Sequence, residues 1–178
     1  NTPAAFPNVL AIGGTNLKLN TDGTRASESV WNDNAGPNAS NRASGGTGGG
    51  CSKDFIRTPF QATMAGYTSA GCTGNGRLVS DISALGDPVT GFDMYDTFST
   101  SGWNTVGGTS LSSPIVAAMF ALAGGAQNVI PARTIYTNYT SNPAGIYDVT
   151  VGGNGSCGGP CSGSPSPAAS DCATTSAA

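Results

Sequence analysis

An unbroken run of small and apolar residues, Ile115 to Ala123, is held between two glycine pairs, Gly107-Gly108 and Gly124-Gly125. With Leu111, the side chains of Ile115, Val116, Met119, Phe120 and Leu122 surround a helix instead of lining one stripe of it. A helix that is apolar all round must be covered on more than one side, so the segment predicts a central, buried helix. Pro114 is accommodated in its first turn, where the missing N–H would have no partner anyway, and Gly124-Gly125 supplies the stop. A second, shorter helix is expected after Pro131.

Three segments read as strands: Val9-Leu10-Ala11-Ile12, which ends at Gly13-Gly14, then Arg77 to Ser83, and Gly91 to Tyr95. Residues 32–50 are Gly, Ser, Asn and Ala with almost nothing apolar, an irregular surface loop. Residues 152–178 combine three cysteines with Gly, Ser, Pro and Ala and hardly any core-forming side chains. The 178 residues therefore divide into one folded unit over 1–151 and a tail over 152–178. Gly-Gly-Thr recurs at 13, 45 and 107, but the unequal spacing makes no repeat.

Seven basic and ten acidic residues give a net charge of −3, and no basic cluster is present to neutralise phosphates. Nucleic acid is excluded as a partner on that ground. The longest apolar run falls short of the roughly 20 residues of a membrane-spanning helix, so no transmembrane segment is expected. No basic and apolar leader precedes Asn1, and Asn1-Thr2-Pro3 reads as a processed end. Five cysteines without a single histidine argue against zinc and for disulfides, which fits a secreted, extracellular protein. Cys51 and Cys72 flank a 20-residue segment and are paired on that reading, while Cys157, Cys161 and Cys172 leave one thiol over with the pairing open. Asn38, Asn138 and Asn154 each begin a glycosylation acceptor triplet, a pattern common by chance.

Ser110 sits where Gly107-Gly108-Thr109 turns into the apolar helix. Small residues there let a substrate backbone approach, and the unpaired N–H groups of a helix start stabilise developing negative charge. The plain alternative is a helix cap, a role serine fills routinely. A nucleophilic serine needs a base, and with no histidine that base has to be a carboxylate. Asp81, Asp87, Asp93 and Asp96 lie close in sequence, but Asp87-Pro88 is a turn signal, so a structural role is favoured for them. Trp31, Trp103 and the tyrosines are expected as core or loop anchors more than as a binding patch.

Five segments, in order, resemble the sedolisins, or serine-carboxyl peptidases. They are Phe6 to Thr15, Ser27 to Asp33, Gly48-Gly49-Gly50-Cys51-Ser52, Asp81-Ile82-Ser83 with Asp87 to Gly91, and Gly107 to Pro114. The resemblance implies an α/β fold, the later part of a subtilisin-like parallel sheet with flanking helices, in which residues 1–151 form a partial peptidase domain. It implies that Ser110 attacks the scissile carbonyl, supported by Gly107, Gly108 and Thr109, with a glutamate acting in place of histidine. That glutamate, its companion aspartate and the aspartate of the oxyanion site lie before the segment matching Phe6 to Thr15. Glu28 matches a different position of the family, so the base role does not pass to it.

The same resemblance implies calcium near the C-terminus, with Asp148 and the Val149 carbonyl opening the site and Gly152-Gly153-Asn154 following. Completing six to eight oxygen ligands then calls for waters, Asp171 or a partner. Two functions follow as expectations. One is the nucleophile-bearing part of a secreted endopeptidase acting on peptides, inactive as an isolated chain and joined to the N-terminal part of the same precursor. The other is a non-catalytic extracellular subunit that covers its exposed apolar face with further copies of itself, as an oligomer or filament. Neither is a monomer.

Overall fold

The computed structural model describes residues 2–33, 45–64, 66–68, 72, 74–98, 101–126 and 129–154. Most of the expected 32–50 loop and nearly all of the tail, with Cys157, Cys161, Cys172 and Asp171, lie outside them, as does Asn38.

The central sheet has three strands in the order β2-β1-β5. β1 (Ile12–Leu19) pairs parallel with β5 (Ile82–Leu85), as expected of the sheet, and antiparallel with β2 (Arg25–Val30) at its edge. The turn between β1 and β2 carries Asp22-Gly23, with Gly23 at a φ of 81° and Asp22 accepting from the N–H and hydroxyl of Thr24. That Asp-Gly signal marks a hairpin the sequence reading passed over.

The first strand also starts later than expected and runs through Gly13-Gly14 instead of ending there. A Cβ on Gly13 would lie 2.5 Å from Ser80 Oγ, and one on Gly14 would lie 2.9 Å from Trp31 Cε3. These glycines mark close packing inside a strand, not its stop. Residues 9–11 form no strand because side chains take their backbone groups. The Arg77 guanidinium donates to the Val9 carbonyl at 2.9 Å, and Ala11 N donates to Asp81 Oδ2 at 2.7 Å.

The expected strand from Arg77 to Ser83 is two strands, β4 (Gly76–Val79) and β5, which belong to different sheets. Arg77 and Asp81 cause the break: fully buried, they form an ion pair at 2.6 Å across the step between the sheets. β4 pairs antiparallel with β3 (Gly50–Ile56), and a disulfide joins Cys51 to Cys72 with the Cα atoms 5.6 Å apart. Tyr67, Cys72 and Leu78 form a small core there, with Met64 packed on it. The short helix α1 (Pro59–Ala62) buries Gln61.

β6 (Phe92–Asp96) and β7 (Gly102–Val106) form a separate antiparallel hairpin. Trp31 is buried as an anchor, but Trp103 on this hairpin is 73% exposed and meets the Tyr95 ring edge to face, with the centroids 5.5 Å apart. The anchoring expectation therefore fails for Trp103. A two-stranded ribbon has no inner face to hide it.

α2 (Thr109–Leu122) is the apolar helix, and α3 (Pro131–Ser141) follows with Pro131 at its start. α2 is not buried all round. Only Ser112 and Val116 are buried, while Met119 is 59% and Leu122 90% exposed, because one side lies on β1 and β5 and no described residue covers the other. Pro114 is also inside the helix, not in its first turn, since the helix begins at Thr109. It has no N–H to offer the carbonyl four residues back, that of Ser110. Gly124 and Gly125 end the helix at positive φ, 96° and 83°.

Candidate active site

Ser110 is the second residue of α2 and is exposed. Its hydroxyl has no hydrogen-bond partner among the described residues, so the capping role that a serine can play is not exercised. The helix instead starts from Gly108, at a φ of 97°, whose carbonyl receives the first N–H groups, from Leu111 at 2.9 Å and Ser112 at 3.4 Å. The N–H groups of Thr109 and Ser110 precede those bonds, at the positive end of the helix dipole.

Two contacts hold the turn against the sheet. Gly108 N donates to the Gly86 carbonyl at 2.5 Å, and a Cβ on Gly107 would lie 2.5 Å from Pro88 N and 2.8 Å from Gly86 O. One turn into α2, the Ser112 hydroxyl meets the carbonyls of Ala84 and Leu85 at 3.2 and 3.0 Å. A Cβ on Gly86 would meet Ser112 Oγ at 2.8 Å and Gly14 Cα at 2.9 Å. Helix and sheet thus touch through glycine and serine, which fixes the height of Ser110 above the strand ends.

Asp87 steadies the same junction. Fully buried, it accepts from Asn16 Nδ2 at 2.5 Å and from Val89 N at 2.7 Å, capping a 310 turn over Pro88–Thr90. Its own N–H and that of Gly86 donate to the Thr15 carbonyl at 3.0 and 2.9 Å. Asp81 is equally engaged, by Arg77, Ala11 N and the Tyr136 hydroxyl. Asp93 accepts from Thr105 and Asp96 from Phe98 N on the exposed hairpin, so the four aspartates do not converge. Glu28 accepts from the Thr15 hydroxyl at 2.8 Å, with Arg25 at 3.6 Å, and none of these bonds reaches Ser110.

Asp33 is a buried acid that sequence reasoning did not single out. Its Oδ2 accepts from the Trp31 indole at 3.0 Å, while Oδ1 is buried with no partner among the described residues. Burial raises its pKa above the ordinary carboxylate value, the indole N–H works against that, and the charge of Asp87 adds to it. The Trp31-x-Asp33 spacing was visible, but nothing in it tells a buried acid from an exposed one.

Around the expected calcium site, the Val151 carbonyl accepts from Val30 N and the Gly153 carbonyl from Asn32 Nδ2. Asp148 is exposed, Val149 packs on Val30, and no group of three or more His, Cys, Asp or Glu gathers among the described residues. Those residues alone do not complete a calcium shell.

The subtilase family profile matches residues 1–146. The chain belongs to the subtilase family. Within it the sedolisin type is shown by the relatives. The chain is 34% identical to Sedolisin of Pseudomonas sp. (strain 101) over 156 residues, 86% of this chain and 24% of that protein. It is 35% identical to Kumamolisin of Bacillus sp. (strain MN-32) over 154 residues, 85% of this chain and 26% of that protein. The structure of Pseudomonas sedolisin complexed with two molecules of pseudo-iodotyrostatin superposes with a TM-score of 0.68 at 32% identity, over 86% of this chain and 39% of that one. The fold is therefore a partial subtilisin-like fold of sedolisin type, and the chain spans about a quarter of the length of these curated relatives.

Proposed function

We propose that Ser110 is the nucleophile of a secreted sedolisin-type endopeptidase, of which this chain supplies the later part of the catalytic domain. One observation carries the reading. In a chain of this family, a serine hydroxyl without a hydrogen-bond partner among the described residues stands exposed at a Gly-Gly turn, beside the first N–H groups of a helix braced by glycine contacts. The base is a glutamate carried by the preceding part of the precursor, because the described carboxylates with assigned bonds are committed elsewhere. That same part covers the outer side of α2, where Met119 and Leu122 are exposed. Alone, the chain associates and does not hydrolyse peptides. The oxygens offered to calcium are those of Asp148 and the Val149 carbonyl, completed from beyond the described residues, Asp171 among them.

The test is hydrolysis of a denatured protein at acidic pH by this chain joined to the preceding part of its precursor. Activity that vanishes in Ser110→Ala supports the reading. Equal activity in Ser110→Ala, or hydrolysis by a homogeneous preparation of this chain alone, overturns it.

A further inference from the structure

A cavity of about 510 Å³ opens between α1, the end of β4, α3 and residues 143–148, and involves none of the residues of the Ser110 turn. Its walls carry four tyrosines, Tyr67, Tyr136, Tyr139 and Tyr147, together with Met64 and Ile146. Three of the rings are fixed from outside. The Tyr67 hydroxyl donates to backbone carbonyls of the Gly74–Gly76 turn, and the Tyr136 hydroxyl donates to Asp81 at 3.1 Å and accepts from Gln61 at 3.1 Å. The Arg25 guanidinium lies 3.3 Å from the centroid of the Tyr147 ring at the rim. The Tyr67 and Tyr136 hydroxyls are thus satisfied, and apart from the Asp148 carboxylate and the already bonded Asp81 the cavity offers chiefly aromatic and aliphatic faces, which call for an uncharged guest. Uncharged rings in extended backbone meet that demand, as in the docking of proline-rich segments on aromatic grooves.

The chain carries such a segment, Ser164-Pro165-Ser166-Pro167, in a tail whose sole charged side chain is Asp171. The described residues end with the Asn154 side chain against the Gly49 backbone, at the β3–β4 pair whose Leu78 lines the cavity. The point where Gly49 would carry a Cβ is 2.5 Å from Asn154 Nδ2 and 3.1 Å from the Val79 carbonyl, and Val79 adjoins Leu78 of the lining. Residues 155–164 span up to about 33–36 Å when extended, and a tether of that length holds a ligand at an effective concentration of about millimolar. A weak site is filled at that concentration, ahead of any partner in dilute solution. We infer that Pro165 and Pro167 of the same chain dock in the tyrosine-lined cavity.

Tetranitromethane nitration of the full chain, mapped by peptide mass, tests this. Tyr139 and Tyr147 report on the cavity, exposed Tyr95 is the reference, and buried Tyr67 staying unreactive shows an intact fold. In Pro165→Ala/Pro167→Ala, nitration of Tyr139 and Tyr147 relative to Tyr95 is expected to rise about two- to ten-fold, the range for a weak site met at about millimolar effective concentration. Ser164→Ala/Ser166→Ala is expected to leave it unchanged. Unchanged nitration in the proline variant overturns the inference. So does protection that disappears on dilution, which assigns the cavity to a second copy of the chain.

Discussion

Arg77 and Asp81 tie the segment before β1 to α1, β4 and α3. Both side chains are fully buried, and between them they bond Val9, Ala11, Leu78, Gln61 and Tyr136. Removing one partner of a buried ion pair leaves an uncompensated charge. Arg77→Ala is therefore expected to lower the unfolding free energy in urea by about 3–5 kcal/mol, as for other broken buried pairs. Asp33 makes the opposite kind of prediction. Its pKa is raised in the folded state, so the folded chain holds the Asp33 proton more tightly than the unfolded chain does. The contribution to stability is greatest below the ordinary aspartate pKa of about 3.9 and falls as pH rises through it towards the folded value. Relative to Asp33→Asn, the wild-type chain should lose urea resistance as pH rises from acidic to neutral. A constant difference between the two across that range would show that Asp33 is not perturbed.

At the scale of elements, the Ser110 turn depends on contacts that tolerate no added atom. Gly107→Ala would drive a methyl into the backbone of Pro88 and Gly86, which cannot give way as a side-chain end could. The variant is expected to unfold at lower temperature and, joined to the preceding part proposed above, to lose turnover by more than its substrate affinity. A thermal midpoint equal to wild type would mean that the turn is not seated against the sheet as described. The helix behind this turn was legible, because its apolar run and two glycine pairs are local signals and α2 begins at Thr109 and stops before Gly124-Gly125. The strands were read less well. Periodicity cannot show that Arg77 and Asp81 turn inward, so the break between β4 and β5 was invisible, and Gly13-Gly14 read as a stop when the reason for glycine was the proximity of Ser80 and Trp31. The partner of β6 was also missed, since Gly102 to Val106 alternates only weakly.

For the whole molecule, the exposed outer side of α2 and the mixed three-stranded sheet are what a part of a larger domain presents. The chain matches about a quarter of Sedolisin and Kumamolisin, and its helix was read as buried because its composition suits a complete domain. The Gly-Gly-Thr-Ser turn into a helix was legible from its motif. Its state was not: that Ser110 is exposed, that Asp81 and Asp87 are absorbed into structure and that Asp33 is a buried acid follow from three-dimensional packing. The account turns on whether Ser110 is a nucleophile that needs the preceding part of the precursor. Labelling by a serine-directed phosphonate, mapped by peptide mass, answers this most directly when done on the chain alone and on the chain joined to that part. The account predicts modification at Ser110 in the joined form and none in the isolated chain. Equal labelling in both forms, or none in either, would contradict it.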